Sequence, residues 1–308
     1  MFQTDHSLVK RKLLQLAATG RFSSFTPKQL YTTFKQLSSY LSQYEDKLDL
    51  IELFQLFELK FYLSILTNHD IEAKNILDRL SDQFGHDVNS QRIRILQSIY
   101  YEAQGQLKKA GDLLSENPDE LQLSRRLTTF ARYDPTAEKY IKNLNFYLNL
   151  QPADVLTWCE LSEEYRKLGL YDKAIYCLNN VIIVEPTAYP IFYKIGLLNY
   201  YHFLQLEQES KEDNIKKGKL IELMNVLILA RDNYLYSLEI NDKYDKSWVG
   251  LWSIVNAGFA FNKKLKKVSE SSKAIKEYLN QADQLKTIVE KKLKQLDIEI
   301  ESRVGAKG

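Results

Sequence analysis

The sequence is poor in the residues that interrupt helices and form tight turns. Its 308 residues include 6 prolines and 11 glycines. No alternation of apolar and polar residues lasts long enough to predict a strand. Leucine and tyrosine instead recur at intervals of three and four, which is typical of amphipathic helices. We therefore expect an all-α protein.

Motifs for catalysis and metal binding are also missing. The 4 histidines are far apart in the sequence, and none has the spacing of a metal-ligand pair. No glycine-rich phosphate loop, GxSxG elbow or kinase signature occurs. Cys159 and Cys177 are expected to be reduced thiols of a cytosolic protein, not a disulfide. The sequence therefore predicts no catalytic residue, no metal ligand and no cofactor, and a protein that is not an enzyme.

An excess of charge of one sign is absent as well. The chain has 42 basic and 40 acidic residues, a net charge of +2. A nucleic-acid-binding protein of this size usually has a clear basic excess, so nucleic acid is disfavoured as a partner. The basic run Lys263–Lys267 is interpreted either as a solvated loop or as a contact with anionic lipid heads. We expect neither a signal peptide nor a membrane-spanning helix.

One segment, residues 155–186, matches a tetratricopeptide repeat, a unit of about 34 residues that forms two antiparallel helices. Its signature residues are Trp158, Leu161, Tyr165, Gly169, Tyr171, Ala174, Leu178 and Pro186. In such a repeat the alanine lies where the two helices touch.

The same register continues downstream. Phe192 follows Trp158 by 34 residues, and Trp248 follows it by 90. Two repeats of 34 residues account for 68 of the 90 residues and leave 22. We therefore infer a 22-residue insertion at about 203–222. Ala230 fits the alanine position with the same insertion length. Two helices that agree on one insertion are unlikely to do so by chance.

Weaker copies of the repeat lie upstream. We call residues 155–186 the best repeat. Its Gly169, Ala174 and Leu178 have counterparts 64 residues earlier, at Gly105, Ala110 and Leu114. A degenerate copy is centred on Ala73 and Leu77. The pattern predicts a series of repeats in which the first ones have lost much of the signature.

These intervals predict a tetratricopeptide-repeat α-solenoid, in which antiparallel helix pairs form a right-handed superhelix. We expect residues 1–25 to be a partly helical N-terminal segment, residues 26–303 to be one solenoid domain, and residues 304–308 to be disordered. The domain includes the insertion at 203–222 and a long C-terminal helix at about 271–303. That helix is interpreted as the cap of the solenoid, with a coiled coil to a partner as the alternative.

Repeats of this kind offer a concave groove that is lined by their first helices. The groove-facing offsets give the candidate partner-binding residues: Leu156, Cys159, Glu163, Arg166 and Lys167 in one repeat, and Tyr193, Leu197, Tyr200 and Tyr201 in the next. Tyrosine is enriched in binding hot spots, but some of these tyrosines could instead pack on the inserted segment. The lysine and asparagine clamp of chaperone-tail-binding repeats is absent, which disfavours a co-chaperone.

The best repeat and its downstream copies resemble the second-subunit family of the endoplasmic reticulum (ER) membrane protein complex. The residues that carry the resemblance are Trp158, Glu160, Leu161, Glu164, Tyr165, Tyr171, Lys173, Ala174, Cys177 and Leu178, then Tyr234 to Leu238, and Trp248, Gly250, Leu251 and Trp252. The resemblance covers roughly residues 45–300. The insertion and the weak first helix near residue 124 depart from the family pattern.

The resemblance implies a soluble, non-catalytic subunit of a hetero-oligomeric insertase on the cytosolic face of the ER membrane. It would be peripheral and would hold cytosolic segments of the membrane-embedded subunits, mainly subunits three and five. The complex would help to insert tail-anchored and multi-pass proteins. The alternatives are a soluble adaptor that binds chaperone or other peptide tails, and a helical-repeat scaffold for RNA processing.

Overall fold

The structure, a computed structural model, contains only helices as regular elements in the part that it describes. The described residues are 6–84, 90–132, 136–209, 217–257 and 272–296. The all-α prediction is therefore confirmed. The chain divides into two compact units, Met1–Leu150 and Gln151–Gly308.

The N-terminal unit has eight helices within its described residues, and two short 3-10 helices. The helices are α1 (His6–Thr19), α2 (Pro27–Tyr44), α3 (Leu50–Leu66), α4 (Asp70–Phe84), α5 (Gln91–Ala103), α6 (Leu107–Ser115), α7 (Leu121–Ala131) and α8 (Ala137–Leu150). The 3-10 helices are Arg21–Ser24 and Glu45–Lys47. The segment expected to be partly helical, residues 1–25, thus contains α1.

Capping boxes fix the start of two of these helices. The Thr26 hydroxyl accepts a hydrogen bond from the Gln29 backbone N–H, and the Gln29 side chain accepts one from the Thr26 N–H at 2.9 Å. Asp49 and Glu52 form the same reciprocal pair before α3, at 2.8 and 3.3 Å. Each box satisfies two backbone donors that the helix itself leaves without partners.

Helix α3 forms the centre of the first core. It contacts α1, α2 and α4, and its Leu56, Leu59, Phe61 and Leu63 are at most 1% exposed. A helix that is surrounded by others is expected to be apolar on most of its circumference. This explains why the sequence of α3 is rich in Leu and Phe on more than one face.

The C-terminal unit contains six described helices. They are α9 (Val155–Lys167), α10 (Tyr171–Val184), α11 (Tyr189–Glu209), α12 (Lys217–Ile240), α13 (Asp245–Ala257) and α14 (Lys273–Gln295). Helices α9 and α10 have 13 and 14 residues, whereas α11 and α12 have 21 and 24. The described parts of the inferred insertion at 203–222 therefore extend α11 and begin α12, and residues 210–216 lie outside the described residues.

Two tryptophans 90 residues apart make the same hydrogen bond. Trp158 Nε1 donates to the carbonyl oxygen of Pro152 at 2.8 Å, and Trp248 Nε1 donates to that of Asp242 at 2.8 Å. In both cases the acceptor lies six residues before the tryptophan. The two residues thus occupy equivalent positions, which supports the register inferred across the insertion.

The turn between α9 and α10 is a Schellman motif. Gly169 has φ +71°, and its N–H donates to the Arg166 carbonyl at 3.0 Å. The next N–H, of Leu170, donates to the Tyr165 carbonyl at 2.9 Å. These two bonds satisfy carbonyl groups at the end of α9 and let α10 begin two residues after Gly169.

Two turns in the N-terminal unit repeat this arrangement. Gly105 has φ +73° and makes the equivalent bonds at 2.9 and 2.8 Å. Asn68 has φ +59° and makes them at 3.2 and 2.8 Å. The structure therefore shows the repeat boundary at Gly105 that the sequence predicted, and one at Asn68, where asparagine replaces glycine.

The alanines that define the repeats are fully buried. Ala73, Ala110, Ala174 and Ala230 are all 0% exposed. Because a larger side chain would hold two packed helices apart, a small residue is needed where they touch. The four positions inferred from sequence spacing thus have the same role.

Tyr234 of α12 lies between α11 and α13, which are the first helices of the last two repeats. It is 1% exposed, and its ring lies against Gly196 of α11 and Gly250 of α13. A Cβ atom built at Gly196 would be 2.8 Å from Tyr234 Cδ1, and one at Gly250 would be 2.4 Å from Tyr234 Cζ. The ring therefore occupies the space that two side chains would otherwise fill.

The C-terminal helix α14 uses its apolar face within the chain. The buried residues of this face are Ile275, Tyr278, Val289 and Leu293, and they belong to the same core cluster as Trp248 and Leu251. This supports the interpretation as a cap and leaves less apolar surface for a coiled coil. Of the predicted helix at 271–303, residues 271 and 297–303 lie outside the described residues, as do Lys263–Lys267 and 304–308.

Candidate partner-binding groove

We call the surface formed by the predicted groove-facing residues of α9 and α11, together with Val249 of α13, the groove face. Helix α9 contributes Leu156, Cys159, Glu163, Arg166 and Lys167. Leu156 is 72% exposed, Cys159 is half-buried, and the three charged residues are exposed. All five follow one another at intervals of one, three or four residues along one side of α9.

The start of α9 is fixed by a side-chain cap. Asp154 Oδ1 accepts hydrogen bonds from the backbone N–H groups of Leu156 and Thr157, at 3.0 and 3.2 Å. The carboxylate also interacts favourably with the helix dipole. The exposed Leu156 side chain thus projects from a helix turn whose backbone is held in place.

The charges of α9 are paired along the helix. Arg166 donates to both oxygens of Glu163 at 2.6 and 2.8 Å, and Lys167 donates to Glu164 at 2.7 Å. The hydrogen bond from Arg166 lowers the pKa of Glu163, and the same bond raises the pKa of Arg166. Because such exposed pairs add little stability, their main effect is to neutralise this part of the groove face.

Tyr193 of α11 belongs to an aromatic cluster. Its ring centroid is 5.5 Å from that of Tyr244 in an edge-on arrangement and 5.8 Å from that of Tyr234. Tyr244 in turn contacts Tyr189 at 4.9 Å. Burial raises the pKa of Tyr193, as expected for a phenol that is partly removed from water. The cluster fixes the tyrosine rings in defined orientations.

Leu197 and Tyr200 also pack on the core of the C-terminal unit. Tyr200 stacks on Phe203, the first residue of the inferred insertion, with centroids 6.3 Å apart. The alternative from the sequence, that some tyrosines pack on the inserted segment, therefore applies to Tyr200. Tyr193, Leu197 and Tyr200 are half-buried, so each supports the fold, and their contact with a partner stays a prediction.

Tyr201 of α11 contacts the preceding helix α10, whereas Tyr193 contacts α12 and Tyr244, the residue before α13. Its ring centroid is 6.1 Å from that of Tyr171 in α10, and Tyr171 is also 6.4 Å from the ring of His202. His202 Nδ1 is 3.2 Å from an oxygen of Asp172. Tyr201 is thus half-buried between consecutive helices, and its role in binding stays a prediction too.

Val249 of α13 was not among the predicted binding residues. It occupies the offset that Cys159 and Tyr193 have in the earlier repeats, and it is 37% exposed. The repeat register could have identified it, because it follows Trp248 directly. Leu156 and Val249 are therefore the exposed apolar side chains of the groove face.

The two thiols of the best repeat are free. Cys177 is buried and Cys159 is half-buried. Burial raises the pKa of Cys159 and raises that of Cys177 to about 12. Both groups are therefore poor nucleophiles and poor metal ligands at neutral pH, because the reactive form of cysteine is the thiolate.

The described residues contain no cluster of three or more side chains that could hold a metal ion. Among the helices described above, none is both long enough and apolar enough to cross a membrane. The groove face combines neutralised charges, tyrosines held by packing and two exposed aliphatic side chains. Such a surface is suited to binding a peptide segment, since it offers apolar contact with a polar margin.

A protein-family comparison matches residues 80–208 to the family model described as "EMC2 TPR-like repeat domain". The match includes all of the predicted groove-facing residues and the best repeat.

Three curated proteins are similar to the chain over longer ranges. "ER membrane protein complex subunit 2" of Saccharomyces cerevisiae is 28% identical over 287 residues, which cover 88% of this chain and 92% of the relative. "TPR repeat protein oca3" of Schizosaccharomyces pombe is 24% identical over 231 residues, 73% of each chain. "ER membrane protein complex subunit 2" of Dictyostelium discoideum is 25% identical over 195 residues, 57% of this chain and 60% of the relative. The resemblance seen in the sequence and the tetratricopeptide-repeat solenoid class are both confirmed.

Proposed function

We propose that this chain, a relative of ER membrane protein complex subunit 2, is a non-catalytic scaffold subunit of a membrane-protein insertase. Its similarity to the subunits of two organisms supports a tetratricopeptide-repeat subunit of that complex. The scaffold role is supported by the repeat family, whose members generally bind other proteins through a groove. In this proposal, insertion of tail-anchored and multi-pass proteins is carried out by the membrane-embedded partners.

The observation that carries the proposal is the state of the groove face. Tyr193 and Tyr200 are already held in place by contacts within the chain, while Leu156 and Val249 remain exposed. A surface that is ordered before binding loses little entropy when a partner binds. Most of the entropy lost on binding would then come from ordering the extended partner segment, and the total loss is smaller because the groove is already ordered.

The proposed partners are cytosolic segments of the membrane-embedded subunits, mainly subunits three and five. The chain would then be a peripheral member of a hetero-oligomer at the cytosolic face of the ER membrane. The neutralised charges of α9 agree with this choice, because the Glu163–Arg166 and Glu164–Lys167 pairs engage the two cations of α9 that could otherwise bind a terminal carboxylate.

The test replaces Leu156 by glutamate in the full chain. Leu156 is 72% exposed, so Leu156→Glu should leave the fold intact while it places a charge in the groove. Charged replacements of Tyr193 or Tyr200 would test the groove less clearly, since both residues pack on the core. We expect the variant to recover at least about tenfold less of the membrane subunits after solubilisation in detergent, equivalent to about 1.4 kcal/mol.

Ile71→Glu is the matched control. Ile71 is 81% exposed and is the second residue of α4, as Leu156 is of α9, so the new charge has the same position relative to the helix dipole. Because α4 is the second helix of its pair, this variant should retain the partners. Equal recovery with both variants, or equal loss, would contradict a role specific to the groove face.

A further inference from the structure

The first two helices form a basic region that contains no acidic residue. Residues 6–44 include six lysines and arginines and neither aspartate nor glutamate, whereas the whole chain has a net charge of only +2. This segment comprises α1, the 3-10 helix Arg21–Ser24 and α2. The local potential there is therefore positive although the bulk charge is nearly balanced.

A cleft lies between these elements, with a volume of about 560 Å³. The lining residues include Lys12 from α1, Arg21 from the 3-10 helix and Lys28 from α2, and Leu16 and Phe25 provide apolar surface. Among the described residues that line the cleft, none is acidic. Its size is within the range of pockets for small ligands, about 300–1,000 Å³.

The three cations of the cleft are uncompensated. Lys12, Arg21 and Lys28 form no ion pair with any residue that the structure describes. Other cations of the same region have partners: Lys10 Nζ is 2.7 Å from Glu52 Oε1, and Lys35 Nζ lies 4.5 Å from the centre of the Tyr31 ring. Arg11 has no ion pair among the described residues either, but it does not line the cleft, so three of the four unpaired cations of residues 6–44 lie there.

The threonine hydroxyl groups of the cleft already donate their hydrogen bonds within the chain and are not available as donors to a ligand. Thr19, Thr32 and Thr33 each donate to a backbone carbonyl oxygen four residues earlier, at 2.8 Å. The donors that remain for a ligand are the three cations and the side-chain amides of Gln15, Gln29 and Gln36, since only the side-chain oxygen of Gln29 is used in the capping box. A set of cationic and amide donors without a carboxylate favours an anion with several oxygen atoms.

We propose that this cleft binds a compact ligand with clustered phosphate groups. Three cations from three consecutive elements surround a space of ligand size, and the amides can donate to phosphate oxygens. Arginine offers two parallel hydrogen bonds to a phosphate, and lysine acts as a point charge. The same chemistry occurs in free inositol phosphates and in phosphoinositide head groups. The site is in the N-terminal unit and is independent of the groove face.

The experiment measures binding by the full chain to two probes. Inositol trisphosphate in solution tests the free ligand by calorimetry. Vesicles of phosphatidylcholine with phosphatidylinositol bisphosphate, compared with phosphatidylcholine alone, test the head group by co-sedimentation. Binding to the soluble probe, or binding only to the phosphoinositide vesicles, supports the proposal and identifies the source. Absence of binding to both probes would overturn it.

Two triple variants remove the same number of positive charges. Lys12→Gln/Arg21→Gln/Lys28→Gln should weaken binding by about tenfold or more, because it removes charge-assisted hydrogen bonds. Arg11→Gln/Lys35→Gln/Lys47→Gln changes cations outside the cleft lining and should retain the affinity. If the two variants lose affinity equally, or if the cleft variant binds as well as the unchanged protein, no specific site exists there. The groove variants Leu156→Glu and Ile71→Glu change no residue of the cleft, so they should not alter binding of the phosphate probes. The two proposals can therefore fail separately.

Discussion

Tyr234 links the last two repeats through one buried ring. It contacts the backbone of α11 at Gly196 and of α13 at Gly250, and its ring lies 5.8 Å from that of Tyr193. Burial raises its pKa far above the usual value, so the phenol stays neutral in the folded chain. The position of the Tyr193 ring in the groove face therefore depends on two residues that have no side chain.

We predict that Gly250→Ala destabilises the protein by about 1–3 kcal/mol, because the new methyl group would overpack a closed site. Its Cβ would be 2.4 Å from Tyr234 Cζ, and the ring is 1% exposed and cannot move into solvent. Urea denaturation at neutral pH measures the change in the free energy of unfolding.

Gly111→Ala is the control for this prediction. A Cβ at Gly111 meets no atom within 4 Å, so alanine should increase stability by up to about 1 kcal/mol through its higher helix propensity. The free energy of unfolding of the double variant Tyr234→Leu/Gly250→Ala should fall by less than the sum of the decreases in the two single variants. Strict additivity would show that the ring and Gly250 do not interact.

At the scale of the helix pairs, the turns are as regular as the helices. Gly169 and Gly105 have φ values of +71° and +73°, and a Cβ at either would meet no atom within 4 Å. The need for glycine is thus conformational and not steric. Asn68 adopts the same left-handed conformation with φ +59°, as asparagine does more readily than other residues with a side chain.

We predict that Gly169→Ala lowers the free energy of unfolding by about 1 kcal/mol, since alanine is strained in the left-handed region. Gly169→Asn should lose less, because Asn68 occupies the same motif in this chain. Thermal unfolding monitored by circular dichroism compares the two. An equal loss would mean that the conformational preference of residue 169 does not determine the stability of the turn.

The buried phenol of Tyr278 in the C-terminal helix is expected to make the stability depend on pH at alkaline pH. Burial raises the pKa of Tyr278 from 10.0 to about 12, although the nearby Arg231 lowers it in part. Above pH 10 the unfolded chain loses the phenol proton while the folded chain keeps it. The contribution of Tyr278 is therefore fully present below pH 10 and is lost as the pH rises towards 12.

We predict that Tyr278→Phe reduces the loss of stability between about pH 8 and pH 11 by about 1 kcal/mol. Urea midpoints at the two pH values give this difference. Tyr176→Phe is the control, because Tyr176 is 63% exposed and its surroundings change little on unfolding. An unchanged pH dependence in Tyr278→Phe would show that the phenol of Tyr278 does not stabilise the fold in the way its burial suggests.

The length of the inserted segment was inferred from spacing, but its form was not. The described part extends α11 to Glu209 and starts α12 at Lys217. Spacing between signature residues counts only how many residues intervene. Whether those residues continue a helix depends on what they pack against, and Phe203 and Leu220 are buried in the core of the C-terminal unit.

At the scale of the whole molecule, the sequence predicts one domain over residues 26–303, and this stays a prediction. The chain contains two compact units, each with its own buried core. Repeat proteins can unfold together when the coupling between neighbouring repeats is strong. The three tryptophans, Trp158, Trp248 and Trp252, all belong to the C-terminal unit, so their fluorescence reports on that unit alone.

We predict that Leu56→Ala, which removes a 0% exposed side chain of the N-terminal unit, shifts the tryptophan transition together with the circular dichroism transition. The free energy of unfolding should fall by about 2–5 kcal/mol. Leu50→Ala, at a 72% exposed position, is the control and should have little effect. A tryptophan transition that stays in place while the circular dichroism becomes biphasic would show that the units unfold independently.

The candidate site was only partly accessible to sequence reasoning. Leu156 follows from the repeat register and is exposed as the groove requires. Tyr193 and Tyr200 follow from the same register, yet both are half-buried against the core. A register gives the side of a helix on which a residue lies. It does not give how much of that side neighbouring helices cover.

The sequence by itself determined the helical class, the repeat register and the family resemblance, because each depends on residue types at fixed intervals along the chain. Trp158 and Trp248 make the same hydrogen bond 90 residues apart for this reason. Only the tertiary structure decided which tyrosines remain available to a partner, that the face of α14 is covered within the chain, and that Lys12, Arg21 and Lys28 surround one cleft. These features depend on contacts between residues that are distant in sequence, and no local interval specifies them.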